Sequence, residues 1–346
     1  MDIWLTEHLV CPRDHSRLRQ RDGELICDNG HGYPIVDGIP VMLVDDAPPT
    51  HSACCQSLAE AAGQALSAHV GAAQARRQID AYVQDIIVGT CGNLYRPLQG
   101  SMSRYPIPEL RLPRGHGEFL LDVGCNWGRW CISAARKGYR PVGIDPSLDA
   151  ILSARRVAVQ LEVEARYLVA DARYLPFLTG SFAVVFSYSV LQHLYRADVE
   201  RSVVEIGRVL ESLGRSLVQM PNAYGLHNLW VQARNGFREP GFFGVRYWRP
   251  RELKDLFGRN IGPTSLSVDG FFSLNAQASD RDLLPFRYRL VVSCSEILRS
   301  MSVRLSPLAM LADSLYVHSL RPEGSETAFF QAGTDHTPNA DPASGR

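Results

Sequence analysis

Residues 119–130, FLLDVGCNWGRW, restrict this chain more than any other stretch. An apolar run ends at Asp122, a loop carries Gly124 and Gly128, and an amphipathic run follows, which predicts strand, tight turn and helix. In that arrangement backbone N–H groups at a helix N-terminus point at a nucleotide cofactor. Gly124 lets the backbone turn sharply, and Gly128 opens a helix whose apolar side includes Trp130, Ile132 and Ala135. Asn126 stands where a third glycine is expected, and asparagine is the next residue to tolerate a left-handed backbone. Trp127 fills space that smaller residues leave open.

The chain then repeats strand and helix. Residues 139–144 form a second strand ending in Asp145; residues 165–169 form a third, followed by Ala170, Asp171 and Ala172. A fourth, 183–186, runs into Ser187, Tyr188 and Ser189. Val203, Ile206, Val209 and Leu210 then share a helix face until Gly214, and residues 215–220 make a fifth strand. This order predicts an α/β fold with a doubly wound, mostly parallel sheet. An acid at the place of Asp145 accepts hydrogen bonds from both hydroxyls of a ribose. Gly124 and Gly128 stand four apart, unlike the G-x-G-x-x-G dinucleotide pattern, and a second acid, Asp171, ends the third strand.

On these motifs, with Tyr174-Leu175-Pro176-Phe177 and Gly180-Ser181-Phe182 after Asp171, residues from about 117 to 222 resemble class I S-adenosylmethionine-dependent methyltransferases. The resemblance is to the broad group that includes quinone-biosynthesis methyltransferases. It implies a Rossmann-like sheet of seven strands and S-adenosylmethionine as cofactor. It further implies that Asp122, Gly124, Cys125, Asn126 and Gly128 line the methionine end and that Asp145 holds the ribose. Pro146 and Ser147 would border the adenine, Asp171 would accept from its amino group, and Ala172 would give a backbone N–H to the ring. Ser187 would face the methionine amino group through its carbonyl.

Methyl transfer from a sulfonium is an in-line displacement, so the protein supplies alignment and exclusion of water. An oxygen or nitrogen acceptor must lose a proton, and His193, just after the fourth strand, is the candidate base. The alternative is that His193 shapes the helix start and the pocket.

The N-terminal residues 9–43 carry Cys11-Pro12-Arg13-Asp14-His15 and Cys27-Asp28-Asn29-Gly30-His31, two turns whose separation suits a zinc ribbon. Cys11, Cys27 and His31 offer three ligands; Asp14 or His15 offers the fourth. Through Leu9-Val10-Cys11-Pro12, Leu25-Ile26-Cys27 and Tyr33-Pro34-Ile35-Val36-Asp37-Gly38-Ile39-Pro40 the segment resembles the short zinc-ribbon-like domain. That domain occurs as a stand-alone activator of methyltransferases and at the N-terminus of bacterial ribosomal RNA guanine methyltransferases. Asp14 and Gly30 depart from its commoner four-cysteine form, and a ribbon without metal is the other reading.

The expected organisation is a ribbon-like module at 1–45, a helical linker and cofactor cover at 46–116, and a catalytic core at 117–275. A substrate lid is expected at 221–248, a helical addition at 276–332 and a disordered tail at 333–346. Residues 52–88 favour helices, 250–257 a short helix and 265–272 a strand. Candidate substrate contacts are Tyr95, Arg96, Tyr188, His227, Trp230 and Tyr247, and Tyr105, Arg234 and Phe242 are further candidates in the same segments. Arg246 suits either an acidic substrate group or a surface ion pair. Residues 286–320 show helical spacing for packing on the sheet, for a homodimer, or, less favoured, for a membrane surface.

Lys plus Arg and Asp plus Glu number 36 each, so the whole chain attracts neither nucleic acid nor an anionic membrane. The start lacks the pattern of a signal peptide and no apolar run reaches ~20 residues, which predicts a cytoplasmic protein. Eight scattered cysteines do not form a disulfide framework. The leading functional expectation is methylation of a small molecule: a secondary metabolite, a sugar or a lipid-linked intermediate. Methylation of RNA, suggested by the ribbon, is the rival. An inactive, partner-binding relative is the third reading, hinted at by the missing middle glycine.

Overall fold

The computed structural model describes residues 2–63, 78–273 and 275–324. It opens with helix α1 (Ile3–His8), capped by the Asp2 carboxylate, which accepts from the Leu5 N–H. Strands β1 (Leu18–Arg21), β2 (Glu24–Cys27), β3 (Gly32–Val36) and β4 (Ile39–Met42) follow as an antiparallel meander. Helices α2 (Ser52–Ala61) and α3 (Ala81–Cys91) come next. Residues 64–77 of the expected helical stretch, and the expected tail at 333–346, lie outside the described residues.

The core alternates as expected: β5 (Phe119–Val123), α4 (Arg129–Arg136), β6 (Arg140–Asp145), α5 (Leu148–Gln160), β7 (Arg166–Ala170), β8 (Phe182–Ser187), α6 (Arg196–Val209) and β9 (Leu210–Pro221). Then follow α7 (Leu226–Arg234), α8 (Pro250–Asn260), β10 (Thr264–Gly270), α9 (Phe286–Ser302), α10 (Ser306–Met310) and β11 (Ser314–Leu320). The helix before β9 ends at Val209, ahead of Gly214, because Leu210 already pairs with Phe182 of β8.

The strands lie in the order β1-β2-β3-β4-β7-β6-β5-β8-β9-β11-β10. From β7 to β10 these are the seven strands of a doubly wound sheet, parallel except for β11, which runs antiparallel to both neighbours. Between β6 and β8, on either side of β5, the winding direction reverses. A crevice outside the carboxyl ends of strands at such a reversal is where α/β sheets hold ligands.

One expectation is corrected. Residues 314–320 are a strand and not a helix, since Leu315, Tyr316 and Val317 are all buried and belong to different packed clusters on the two faces of the sheet. Their spacing from Leu308 and Leu311 imitates a helical stripe. Helix α9 is unusual in burying Ser295 and Ser302 while exposing Phe286, Leu290, Ile297 and Met301. The Ser295 hydroxyl accepts from the Phe271 N–H at 3.0 Å, which explains its inward position. Among the described residues no helix is long and apolar enough to cross a membrane.

The N-terminal module joins the core as an extra sheet edge. Strand β4 pairs in parallel with β7 through Val41 and Val169 and through Met42 and Ala170. Trp4 of α1 stacks on Phe119 at 4.2 Å and meets the edge of Phe182 at 5.4 Å. Phe177 and Phe182 are fully buried in that contact region, each contributing about 1.5–3 kcal/mol relative to exposure.

Candidate cofactor and acceptor site

A cavity of about 330 Å³ opens at the carboxyl ends of β5, β6, β7 and β8. Its floor is the turn from Gly124 to Trp127. Gly124 has φ +76°, and a Cβ there would stand 2.3 Å from Val190 Cγ2, so a side chain has neither conformation nor room. Gly128, at φ +79°, caps α4, and a Cβ would stand 2.6 Å from the Tyr167 hydroxyl. Asn126 takes the left-handed backbone expected of it, with φ +46°. Its side-chain oxygen accepts from the Trp127 N–H at 2.9 Å, which stabilises the bend.

Asp145 closes this turn from the next strand. One carboxylate oxygen accepts from the Asn126 N–H and the other from the Ser147 N–H, both at 3.0 Å. Burial pushes its pKa up to about 6, against the lowering effect of those two N–H groups. Asp171 is gripped harder. Arg173 donates to it from the backbone at 2.9 Å, from Nε at 3.1 Å and from Nη2 at 2.9 Å. The Thr50 hydroxyl adds a fourth bond at 3.3 Å. Arg173 also reaches Asp198 and the Pro48 carbonyl, tying β7 to the segment that leaves the N-terminal module.

Of the cofactor residues expected from the sequence, Gly124, Cys125, Asn126, Asp145, Pro146, Ser147, Asp171 and Ala172 line this one cavity. Asp122, Gly128 and Ser187 stand behind the lining. Asp122 accepts from the Cys131 thiol at 3.3 Å, and burial raises its pKa to about 7. The Ser187 hydroxyl donates to the Val123 carbonyl at 3.0 Å. Trp127 is fully buried and fixed to the cap helix α3, its Nε1 donating to the Thr90 hydroxyl at 3.2 Å.

The acceptor-side expectations fare differently. Tyr188 lines the cavity, donating its hydroxyl to Asp269 and accepting from Gln277, both at 2.9 Å. Tyr95 does not line it: the ring is fully buried and the hydroxyl donates to Asp280, which pairs at 3.1 Å with Arg129. Arg96 is exposed and outside the lining. His227 and Trp230 also lie outside it, with Trp230 exposed, the two rings 5.8 Å apart and Arg234 over the indole at 4.8 Å. Tyr247 is half-buried, away from the lining. Arg246 makes no surface ion pair among the described residues; it is buried and donates to backbone carbonyls of its own loop.

His193 does line the cavity. Its Nδ1 is buried without a partner among the described residues, and burial first, then the Arg246 and His51 charges, lower its pKa to about 4. It is therefore neutral at pH 7, with one ring nitrogen unprotonated, and a weaker base than an ordinary imidazole. Sequence reasoning missed Thr50, His51, Arg129 and Phe243, all of which line the same cavity. Only the Asp171-x-Arg173 spacing carried a readable signal for the Arg173 clamp.

In the N-terminal module the ligand atoms of Cys11, Asp14, Cys27 and His31 all lie within 4.8 Å of one another. His31 Nδ1 is 3.4 Å from Cys11 Sγ, 3.3 Å from Cys27 Sγ and 3.3 Å from Asp14 Oδ2. Ligands on a tetrahedral zinc, at bonds of about 2.0–2.3 Å, stand about 3.3–3.8 Å apart. The donor set and its spacing fit that ion. His15 is the ligand the fold rejects, since its ring faces Glu205 of α6 at 3.9 Å.

Residues 120–214 match the family described as a methyltransferase domain. Residues 120–214 therefore form a methyltransferase domain. Among curated proteins the chain is 27% identical over 146 residues to a ubiquinone biosynthesis O-methyltransferase of Bartonella quintana. The match covers 41% of this chain and 58% of that protein, so the chain spans just over half of its relative's length. It is also 34% identical over 107 residues to the mouse 18S rRNA (guanine-N(7))-methyltransferase, covering 31% of this chain and 37% of that protein. A UPF0434 protein of Vesicomyosocius okutanii is 48% identical over 48 residues, 14% of this chain and 81% of the relative. The N-terminal module of the chain thus belongs to the UPF0434 family.

Proposed function

We propose that this chain moves a methyl group from S-adenosylmethionine to an oxygen or nitrogen of a small molecule by in-line displacement. The observation that carries the reading is the single cavity at the strand reversal. It brings the Gly124–Trp127 turn, Asp145 and Asp171 to one side and Tyr188, His193 and Phe243 to another. When bound, the cofactor supplies an electrophilic methyl on a sulfonium. Asp145 accepts from the ribose hydroxyls in its ionised form. Asp171 meets the adenine amino group once the Thr50 hydroxyl gives way. Neutral His193 takes the acceptor proton, and the aromatic walls exclude water.

A small acceptor is favoured over RNA by the balanced charge of the chain, 36 against 36, and by a lining in which Arg129 is the only Lys or Arg among the described residues. The ribbon cluster of Cys11, Asp14, Cys27 and His31 would hold zinc as a structural ion, fixing the turns that present β1–β4 to the core. Calorimetry with S-adenosylmethionine tests the enzyme reading, and an absence of binding sinks it. RNA retention that falls steeply with salt would move the acceptor from a small molecule to RNA.

A further inference from the structure

The loop before α8 holds an aromatic ring in the cavity by an arrangement that the cofactor does not explain. Arg246 is 2% exposed, and its guanidinium serves as the loop's core. Nη1 donates to the carbonyls of His193 at 2.9 Å and Gly244 at 3.3 Å. Nη2 donates to those of Pro240 at 3.1 Å and Gly241 at 2.7 Å. The Arg246 N–H donates to the Gln192 carbonyl at 2.8 Å, and the guanidinium lies 4.3 Å from the centre of the Tyr195 ring.

What the loop presents is Phe243, with φ +50° and 46% of its surface exposed. A non-glycine residue in that conformation, on an exposed ring, is not a packing solution for a core. The ring lies flat on His193, with centroids 4.6 Å apart and planes at 13°, and meets the edge of His51 at 4.3 Å. Trp130 and Tyr188 line the same cavity, their own rings 4.7 Å apart.

We propose that Phe243 is a plug that occupies the acceptor subsite, and that the acceptor displaces it by laying a planar aromatic ring on His193. The proposal rests on the methyltransferase reading above. The place already holds a six-membered aromatic ring at stacking distance, and the ring that fills it is carried on an exposed loop tip rather than built into the core. The candidate base has its face covered by Phe243. An acceptor ring taking that position gains the stacking surface of His193 and moves Phe243 out of the cavity.

The test uses the full chain saturated with S-adenosylhomocysteine, with phenol as the probe and cyclohexanol as a puckered ring of the same size. Binding is read by calorimetry and by ligand-observed NMR. Phenol should bind the wild-type complex and bind Phe243→Ala about three- to tenfold more tightly, because no internal ring competes for the stacking surface. Cyclohexanol should bind more weakly to both. Phe242→Ala, which alters a neighbouring exposed ring outside the cavity lining, should leave phenol binding at the wild-type level. Phenol ignored by both saturated complexes, or bound equally by wild type and Phe243→Ala, overturns the plug; equal binding of cyclohexanol and phenol overturns the planar acceptor. Failure of S-adenosylhomocysteine itself to bind would remove the cofactor reading beneath the proposal, a result distinct from a saturated complex that ignores phenol.

Discussion

The two sides of the cavity are built differently. On the cofactor side the groups stand at the ends of consecutive parallel strands, Gly124 after β5, Asp145 ending β6 and Asp171 after β7, and backbone N–H groups fix their carboxylates. On the acceptor side the groups come from segments far apart in the chain: His51 before α2, Tyr188 and His193 after β8, and Phe243 on a loop held by one arginine. The first side is rigid because the sheet places it. The second is assembled by tertiary contacts and can change without disturbing the sheet, which is how one fold serves many acceptors.

Breaking the rigid side should have the largest effects. Gly124→Ala forces a Cβ to 2.3 Å from Val190 in a left-handed turn. The strain and overpacking, about 3 kcal/mol, are relieved only by moving the turn, and restoring its shape around a ligand forfeits up to that amount, so affinity for S-adenosylhomocysteine should fall by up to about a hundredfold. Calorimetry beside circular dichroism checks this, and a folded variant with normal affinity would show that the turn does not touch the ligand.

Next in size is Asp145. Its carboxylate, with a pKa raised to about 6 in the free protein, is ionised above that pH and protonated below it. A ribose hydroxyl donates to the ionised form, so affinity should be constant above about pH 7 and weaken by up to about tenfold per unit below about pH 6. Asp145→Asn should bind about tenfold more weakly at about pH 8 and lose that pH dependence. A wild-type affinity flat from about pH 5 to 8 would contradict the assignment.

On the acceptor side His193→Gln should lower turnover about ten- to a hundredfold once an acceptor is known, with S-adenosylhomocysteine affinity within about threefold of wild type. Because burial lowers the His193 pKa to about 4, the imidazole is neutral throughout pH 5–8. Any acid limb of kcat/KM near pH 6 to 7 therefore belongs to the buried carboxyls of Asp145 and Asp122, and it should persist in His193→Gln. A limb that vanishes with His193 would assign it to the imidazole instead.

The contrast also explains what the sequence could tell. Strands β5 to β10, the left-handed Asn126 and the acids at the ends of β6 and β7 were legible because each follows from a local rule, whereas β11 was not, since its spacing imitates a helical stripe. The ribbon ligands were legible as a set, but the choice between Asp14 and His15 was not, since it depends on α6 supplying Glu205 to His15. Tyr95, Arg96, His227, Trp230 and Tyr247 were chosen for side-chain type in segments expected to cover the cavity. Side-chain type does not report direction. Phe242 and Phe243 are adjacent, and only the second turns inward, through a backbone conformation that no residue type announces.

Thr50 gives the smallest expected effect and the sharpest test of where the two sides meet. It belongs to the segment leaving the N-terminal module, yet its hydroxyl completes a set of four hydrogen bonds on Asp171, three of them from Arg173. A carboxylate has about four lone-pair sites, so an adenine amino group must replace one of these donors. The bond at 3.3 Å from Thr50 is the longest and comes from a neutral donor, whereas the arginine side-chain bonds are charge-assisted. The hydroxyl should therefore be the one to leave. Thr50→Val keeps the shape and removes the competitor, and S-adenosylhomocysteine should then bind up to about threefold more tightly, in keeping with the small worth of a neutral hydrogen bond. Binding weakened about tenfold would mean that the hydroxyl itself touches the ligand, making the N-terminal segment part of the cofactor side rather than a neighbour that yields to it.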